Sequence, residues 1–170
     1  YQSWFEFGRD LAALARGAGD PADGASEARK FHAVRELAFF RGFRESEIWE
    51  TLRFAGWRRA AGGAAILEQG GRGDALYVLV EGRVEVTRGG VQLATLRPGD
   101  VFGEILYFDD DSAERSSTLR AAGEVVALEI KAAALNAASD ACQVQFNKAC
   151  MRLLVERLAQ IGRRPPGAPG

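Results

Sequence analysis

Phe102-Gly103-Glu104-Ile105-Leu106 follows the turn Pro98-Gly99-Asp100, and Arg115-Ser116-Ser117 stands eleven positions beyond Glu104. Glycine at 103 carries no Cβ, so another group can approach the backbone closely there. A helix beginning at 103 would present unpaired N–H groups and the positive end of its dipole, an arrangement that suits an anion. Arg115 is planar, permanently charged and able to hold two phosphate oxygens at once. Glu104 can accept a hydrogen bond from a sugar hydroxyl, while Ser116 and Ser117 add hydroxyls and backbone donors. Together these residue types fit a sugar phosphate that carries one negative charge.

Other chemistries lack the residues to carry them. His32 is the one histidine of the chain, so no HExxH metal site exists, and no plausible nucleophile stands near it in sequence. Asp109-x-Asp111 invites a calcium reading. Its loop has Glu114 where a calcium loop needs glycine and Arg120 where it needs glutamate, so no metal is expected. No GxxxxGK[ST] loop occurs. Arg72-Gly73-Asp74 reads as a turn. Cys142 and Cys150 fall on one helical stretch, with Cα atoms about 12 Å apart at 1.5 Å per residue, too far for a mutual disulfide. Two reduced thiols and no membrane-length apolar run predict a cytoplasmic chain with no membrane partner. Its 22 basic and 23 acidic side chains predict no nucleic-acid partner.

These residues need elements to position them. The chain has 170 residues, 47% of them hydrophobic, enough for one core. Ten of its 20 glycines fall between Gly62 and Gly103, where they separate short alternating apolar runs. The runs WRRA, AAILE, ALYVLV, RVEVT, VQLATL, VFGEI, SSTLRA and VVALEI predict eight antiparallel strands. Gly89-Gly90 predicts a tight hairpin. Before the strands, apolar spacing predicts helices over 1–16, over 26–40 and from about Ser46. Residues 17–25 read as a linker. After them, 131–135 predict a short helix. A long one capped by Ser139 or Asp140 should run to about Ile161, with Val144, Met151, Leu154, Leu158 and Ile161 as its apolar stripe. The proline-rich tail from 162 reads as disordered. The expected fold is mainly β: an eight-stranded antiparallel β-roll (jelly roll) with N-terminal helices and a long C-terminal helix. Expected boundaries are 1–25 for a leading helix and linker, 26–161 for the domain and 162–170 for the tail.

Three blocks in order, GDALYVLVEGRVEV (73–86), LRPGDVFGEI (96–105) and RSSTLRA (115–121), resemble the cyclic nucleotide-binding domain family, of the catabolite-activator and protein kinase A regulatory-subunit type. The resemblance covers residues 27–160. It implies a non-enzymatic regulatory module whose ligand is cAMP or cGMP and which needs no further cofactor. The family's phosphate-binding cassette maps onto Phe102, Gly103, Glu104, Ile105, Leu106, Arg115, Ser116 and Ser117. By motif, Arg115 would pair with the cyclic phosphate, and Gly103, Leu106 and Ser116 would offer backbone donors. Glu104 would hold the ribose 2′-hydroxyl.

The chain departs from the family pattern in places. Leu106-Tyr107 stands where Ala-Leu is usual, and Glu114 where a proline often precedes the arginine. Asp109, Asp110, Asp111 and Glu114 put four negative charges beside an anion site. These departures keep open an alternative: a degenerate roll that binds no nucleotide and serves docking or dimerisation. Residues 1–16 are similar to the last helix of a bacterial eukaryotic-like serine/threonine kinase domain, which implies a kinase as attached or partner effector. A homodimer through the C-terminal helix is a further expected partnership.

Overall fold

A computed structural model describes residues 23–103 and 114–162; the expectations for 1–16, for 17–22 of the linker and for 163–170 of the tail lie outside the described residues, whereas residues 23–25 of the expected linker and Gly162 of the expected tail are helical. Eight strands follow one another as expected: β1 (Gly56–Ala60), β2 (Ala65–Leu67), β3 (Ala75–Glu81), β4 (Val84–Arg88), β5 (Val91–Leu96), β6 (Val101–Phe102), β7 (Thr118–Ala121) and β8 (Val125–Lys131). They form two four-stranded antiparallel sheets, ordered β1-β8-β3-β6 and β2-β7-β4-β5. The Gly89-Gly90 hairpin closes with Arg88 opposite Val91, and both glycines have positive φ, as a two-residue turn with matching twist requires.

Side-chain alternation explains the layers. Successive strand residues point to opposite faces, so one strand can serve two cores. Along β3, Leu76, Val78 and Val80 join Leu128 and Ile130 of β8 in a core shared with the helices. The intervening Tyr77 and Leu79 join Val125, Ala127 and Phe102 inside the roll. The central strands β3 and β8 are therefore covered on both faces and read as nearly unbroken apolar runs.

Helix α1 (Asp23–Arg35) leads into a 3₁₀ turn (Ala38–Phe40) and then α2 (Glu45–Phe54). The single helix expected over 26–40 thus ends at Arg35. The cause lies in Phe39 and Phe40, adjacent in sequence and both fully buried. One helix face cannot bury two neighbouring side chains, whereas the tighter turn swings both rings inward. Together with Phe43 they pack around Phe146, at centroid distances of 5.3 to 6.3 Å.

After β8 come α3 (Ala132–Asn136) and α4 (Asp140–Gly162). The inward face of α4 is Cys142, Phe146, Ala149, Cys150 and Leu153, and both cysteines are free thiols. The stripe expected from sequence is the wrong one: Val144, Met151, Leu154 and Leu158 are exposed, and the side chain of Ile161 lies outside the described residues. Two apolar faces occur on this helix, and periodicity cannot say which one meets the roll. The choice falls on the face carrying Phe146, whose ring fills the space among three other phenyl rings.

Ser139 caps α4 by accepting from the Cys142 N–H at 3.2 Å, while Glu50 of α2 accepts from both the N–H and the hydroxyl of Ser139 at 2.7 Å. Those two bonds hold the Glu50 carboxyl below its usual pKa. A depressed acid stabilises the fold above its unfolded pKa, near 4.3, and loses that contribution as pH falls through its folded value. The melting temperature of the parent chain should therefore fall more steeply between about pH 6 and about pH 3 than that of Glu50→Ala. Parallel decline of the two would contradict the assignment.

Candidate functional site

Arg115 precedes β7 and is 93% buried, with only 7% of its surface exposed. A buried guanidinium must be hydrogen-bonded, because desolvating a cation costs several kcal/mol otherwise. Its Nη1 donates to the carbonyl of Gly103 and its Nη2 to the carbonyl of Ala75, each at 3.0 Å. Its backbone is fixed as well. The Arg115 N–H donates to Gly71 O and the Gly70 N–H to Arg115 O, both at 2.8 Å. Arg88 of β4 donates to Ser116 O at 3.0 Å. Arg115 thus joins the end of β6, the start of β3 and the loop that precedes β3.

Two glycines make the room. Gly103 has φ +78°, and a Cβ there would sit 2.6 Å from Arg115 Nη1 and 3.0 Å from Ala75 O. A Cβ on Gly73 would collide with Arg115 Nη2. Gly73 and the Ala75 carbonyl escaped the sequence reading as site elements, because Arg72-Gly73-Asp74 looked like an ordinary turn. The signal available was Gly73 opening the first of the three matched blocks.

Gly103, Arg115, Ser116 and Ser117 line one cavity with Leu67, Glu114 and Leu119; as the described residues bound it, its volume is about 50 Å³. Ser117 is buried and Ser116 exposed. Phe102 is placed differently: its side chain lies in the roll core, stacked on Tyr77 with centroids 5.1 Å apart. Only its backbone leads into the site. Glu104, Ile105 and Leu106 lie outside the described residues. On the side of the roll interior, Tyr77 donates to Glu129 at 3.1 Å, and Arg58 pairs with the other carboxylate oxygen at 2.7 Å. Burial and the Glu129 charge push the Tyr77 phenol above its usual pKa, so it stays a neutral donor. The arrangement offers a fixed cation, small residues and hydroxyls around one cavity: the equipment for binding an anion.

Over residues 57–141, half of the 170-residue chain, the sequence matches the family described as cyclic nucleotide-binding domain. The cAMP-dependent protein kinase regulatory subunit of Dictyostelium discoideum is 30% identical over 121 residues, 63% of this chain and 33% of that protein. The cGMP-dependent protein kinase egl-4 of Caenorhabditis elegans is 35% identical over 77 residues, 44% of this chain and 10% of that kinase. The chain therefore spans between a tenth and a third of these relatives. Among solved structures, the Thermus thermophilus catabolite activator protein superposes with TM-score 0.62 and 28% identity, covering 74% of this chain and 60% of that one. A cyclic nucleotide-binding domain from Methylobacillus flagellatus shares the fold at TM-score 0.71 and 20% identity, covering 84% and 86%. The chain belongs to the cyclic nucleotide-binding domain family.

Gly73→Ala should displace the Arg115 side chain and break its bond to Ala75 O, leaving a buried acceptor unpaired at a cost of about 1–3 kcal/mol. Denaturant titration reads this as a lower unfolding midpoint with unchanged slope. An unchanged midpoint would refute the packing of Arg115 against Gly73.

Proposed function

We propose that this member of the cyclic nucleotide-binding domain family is a regulatory module that binds cAMP or cGMP at the cavity lined by Gly103 and Arg115. One observation carries the reading: a buried arginine is aimed by two backbone carbonyls and walled by small residues, on the motif positions where the family holds a cyclic phosphate. In this reading Arg115 meets the phosphate, while Ser116, Ser117 and the Gly103 backbone add donors. Glu104 takes the ribose hydroxyl, and Ile105 and Leu106 complete the cassette. Discrimination between the two bases is left to groups beyond this cluster.

Ligand-driven change follows from population shift, because a ligand favours the state it binds better. Two arginines of α4 give the change a route to the helices. Arg157 of α4 donates to the carbonyl of Val101, next to Phe102 and Gly103. Arg152 donates to the carbonyls of Ala38, Phe39 and Arg41 at 3.0 to 3.2 Å. Repositioning the cassette root would pull on α4 and the 3₁₀ turn together. The receiver would be an attached or partner effector, a serine/threonine kinase by the likeness of residues 1–16. The module itself would be non-enzymatic and cytoplasmic. Among the described residues, no helix is long and apolar enough to cross a membrane.

A second reading, a roll used for docking or dimerisation, has its own observation. Val144, Met151, Leu154, Val155 and Leu158 form an apolar face on α4 that is 38% to 68% exposed. Positions 144, 151, 154 and 158 keep the spacing of a coiled-coil seam, so a second copy could pair with it and form a homodimer. Met151→Glu with Leu158→Glu should then convert a sedimenting dimer to monomer while the far-ultraviolet dichroism stays constant. A parent chain that sediments as a monomer up to high micromolar concentration would exclude this partnership.

Calorimetric titration tests the main reading. The parent chain should bind cAMP or cGMP saturably, and Arg115→Ala should weaken binding by about 1.5–3 kcal/mol, the worth of a charged hydrogen bond. That corresponds to about 10- to 150-fold in Kd. No heat and no thermal shift with either nucleotide at millimolar concentration would sink it.

A further inference from the structure

A groove of about 780 Å³ opens between the end of α1 and the helix-facing side of the first sheet. It shares no described lining residue with the Arg115 cavity. The strands explain its shape. Val126 of β8 stands opposite Arg59 of β1 on one side and Glu81 of β3 on the other, so the three form a row across the sheet. Directly opposed strand residues share a face, and Val126 belongs to the core shared with the helices. β3 bulges here: Val80 and Glu81 together oppose the single residue Val126, which lets both reach the groove. Leu37, Val80 and Val126 form a buried apolar floor. Ala33, Ala38, Ala60 and Ala61 line it too, and their short side chains leave the volume open.

The rim carries the charge. Glu36, Glu81 and Glu124 line the groove, and Arg59 is the one cation among its described lining residues. Gly82 explains why two of these glutamates are close: its φ is +88°, and a Cβ there would collide with the carbonyl of Glu124. The turn after β3 therefore lies against the residue that leads into β8, and the two carboxylates feel each other's charge. Burial pushes the Glu81 carboxyl above its usual pKa; Arg59 counters this, and Glu124 adds to it. Among the described residues, no hydrogen bond or ion pair engages the side chains of these three glutamates. An apolar hollow of this size suits a small molecule, and water fills it at a cost. A charged group settling at the rim is attracted if positive and repelled if negative.

We infer that this groove is a second ligand site, for a small aromatic amine: its ring lies on Leu37, Val80 and Val126, and its ammonium group meets Glu81 and Glu124. The cation relieves the like-charge pair, and the ring displaces water from the apolar floor. The inference is independent of nucleotide binding and survives its failure.

Tryptamine and indole-3-propionate, the same ring with opposite charges, are the probes. Each is titrated into the full isotope-labelled chain and followed by amide NMR. Tryptamine should shift the Glu81, Gly82, Glu124 and Val126 amides saturably in the low millimolar range, as expected of a ligand of its size. Indole-3-propionate should bind more weakly. Glu81→Gln with Glu124→Gln should weaken tryptamine about fivefold, the combined worth of two solvent-screened charge pairs, and so remove the preference. Ala61→Trp, which fills the groove from its wall, should abolish binding of both probes. The rest of the amide spectrum reports whether each variant folds, and the two probes compared on the parent chain need no variant. Equal binding of the two probes overturns the inference. So do shifts centred on Ser116 and Ser117 or on the exposed face of α4, tryptamine binding that neither variant weakens, or no saturable shift at all.

Discussion

One buried guanidinium holds the functional end of this roll together. Arg115 spans the carbonyls of Gly103 and Ala75, and its own backbone is bonded to the loop at Gly70 and Gly71. Strands from both sheets and the root of the 104–113 segment therefore meet at one side chain. The charge is tolerated because aimed carbonyl dipoles replace water around it. The same bonds set its orientation in advance, so an arriving anion would find a cation whose side-chain entropy is already spent. Glycine at 73 and 103 is the steric condition for that placement, and a methyl group at either position would meet the guanidinium.

Around this point the fold divides its labour by strand alternation. The first sheet turns one face to the interior of the roll, where Tyr77, Phe102 and Glu129 lie, and the other to the helices. Any movement of β6 is therefore felt on both faces. Arg157 and Arg152 of α4 reach the Val101 carbonyl and the 3₁₀ turn respectively, tying the outer layer to the strand that ends at Gly103. Phe146 packs the same helix against three phenyl rings. The long helix is thus anchored from Cys142 to Arg157 and carries a second, exposed apolar face from Val144 to Leu158.

The strands were legible because glycine pairs punctuate alternating runs, and turn chemistry is local. Arg115, Ser116 and Ser117 were legible as a group because motif and residue type agreed. Three features were not legible, each for a tertiary reason. The break after Arg35 depends on Phe39 and Phe40 both finding space around Phe146, a residue more than a hundred positions away. The orientation of α4 depends on which of two apolar faces meets that pocket. The role of Gly73 depends on a guanidinium 42 positions later needing the volume of one methyl group. The side chain of Phe102, read from sequence as a cassette residue, stacks on Tyr77 in the roll core, because its period-2 position on β6 faces Tyr77.

The account stands or falls on whether Arg115 meets the ligand's phosphate. Nitrogen-resolved NMR of the arginine guanidinium groups, followed while cAMP and then cGMP are added, observes that contact directly. The account predicts that the Arg115 Nε–H and Nη–H signals, assigned by their loss in Arg115→Lys, shift and saturate with one of the two nucleotides, while 5′-AMP or inorganic phosphate at the same concentration moves them less. Saturable binding with the Arg115 signals unmoved, or no saturable change at all, would contradict it.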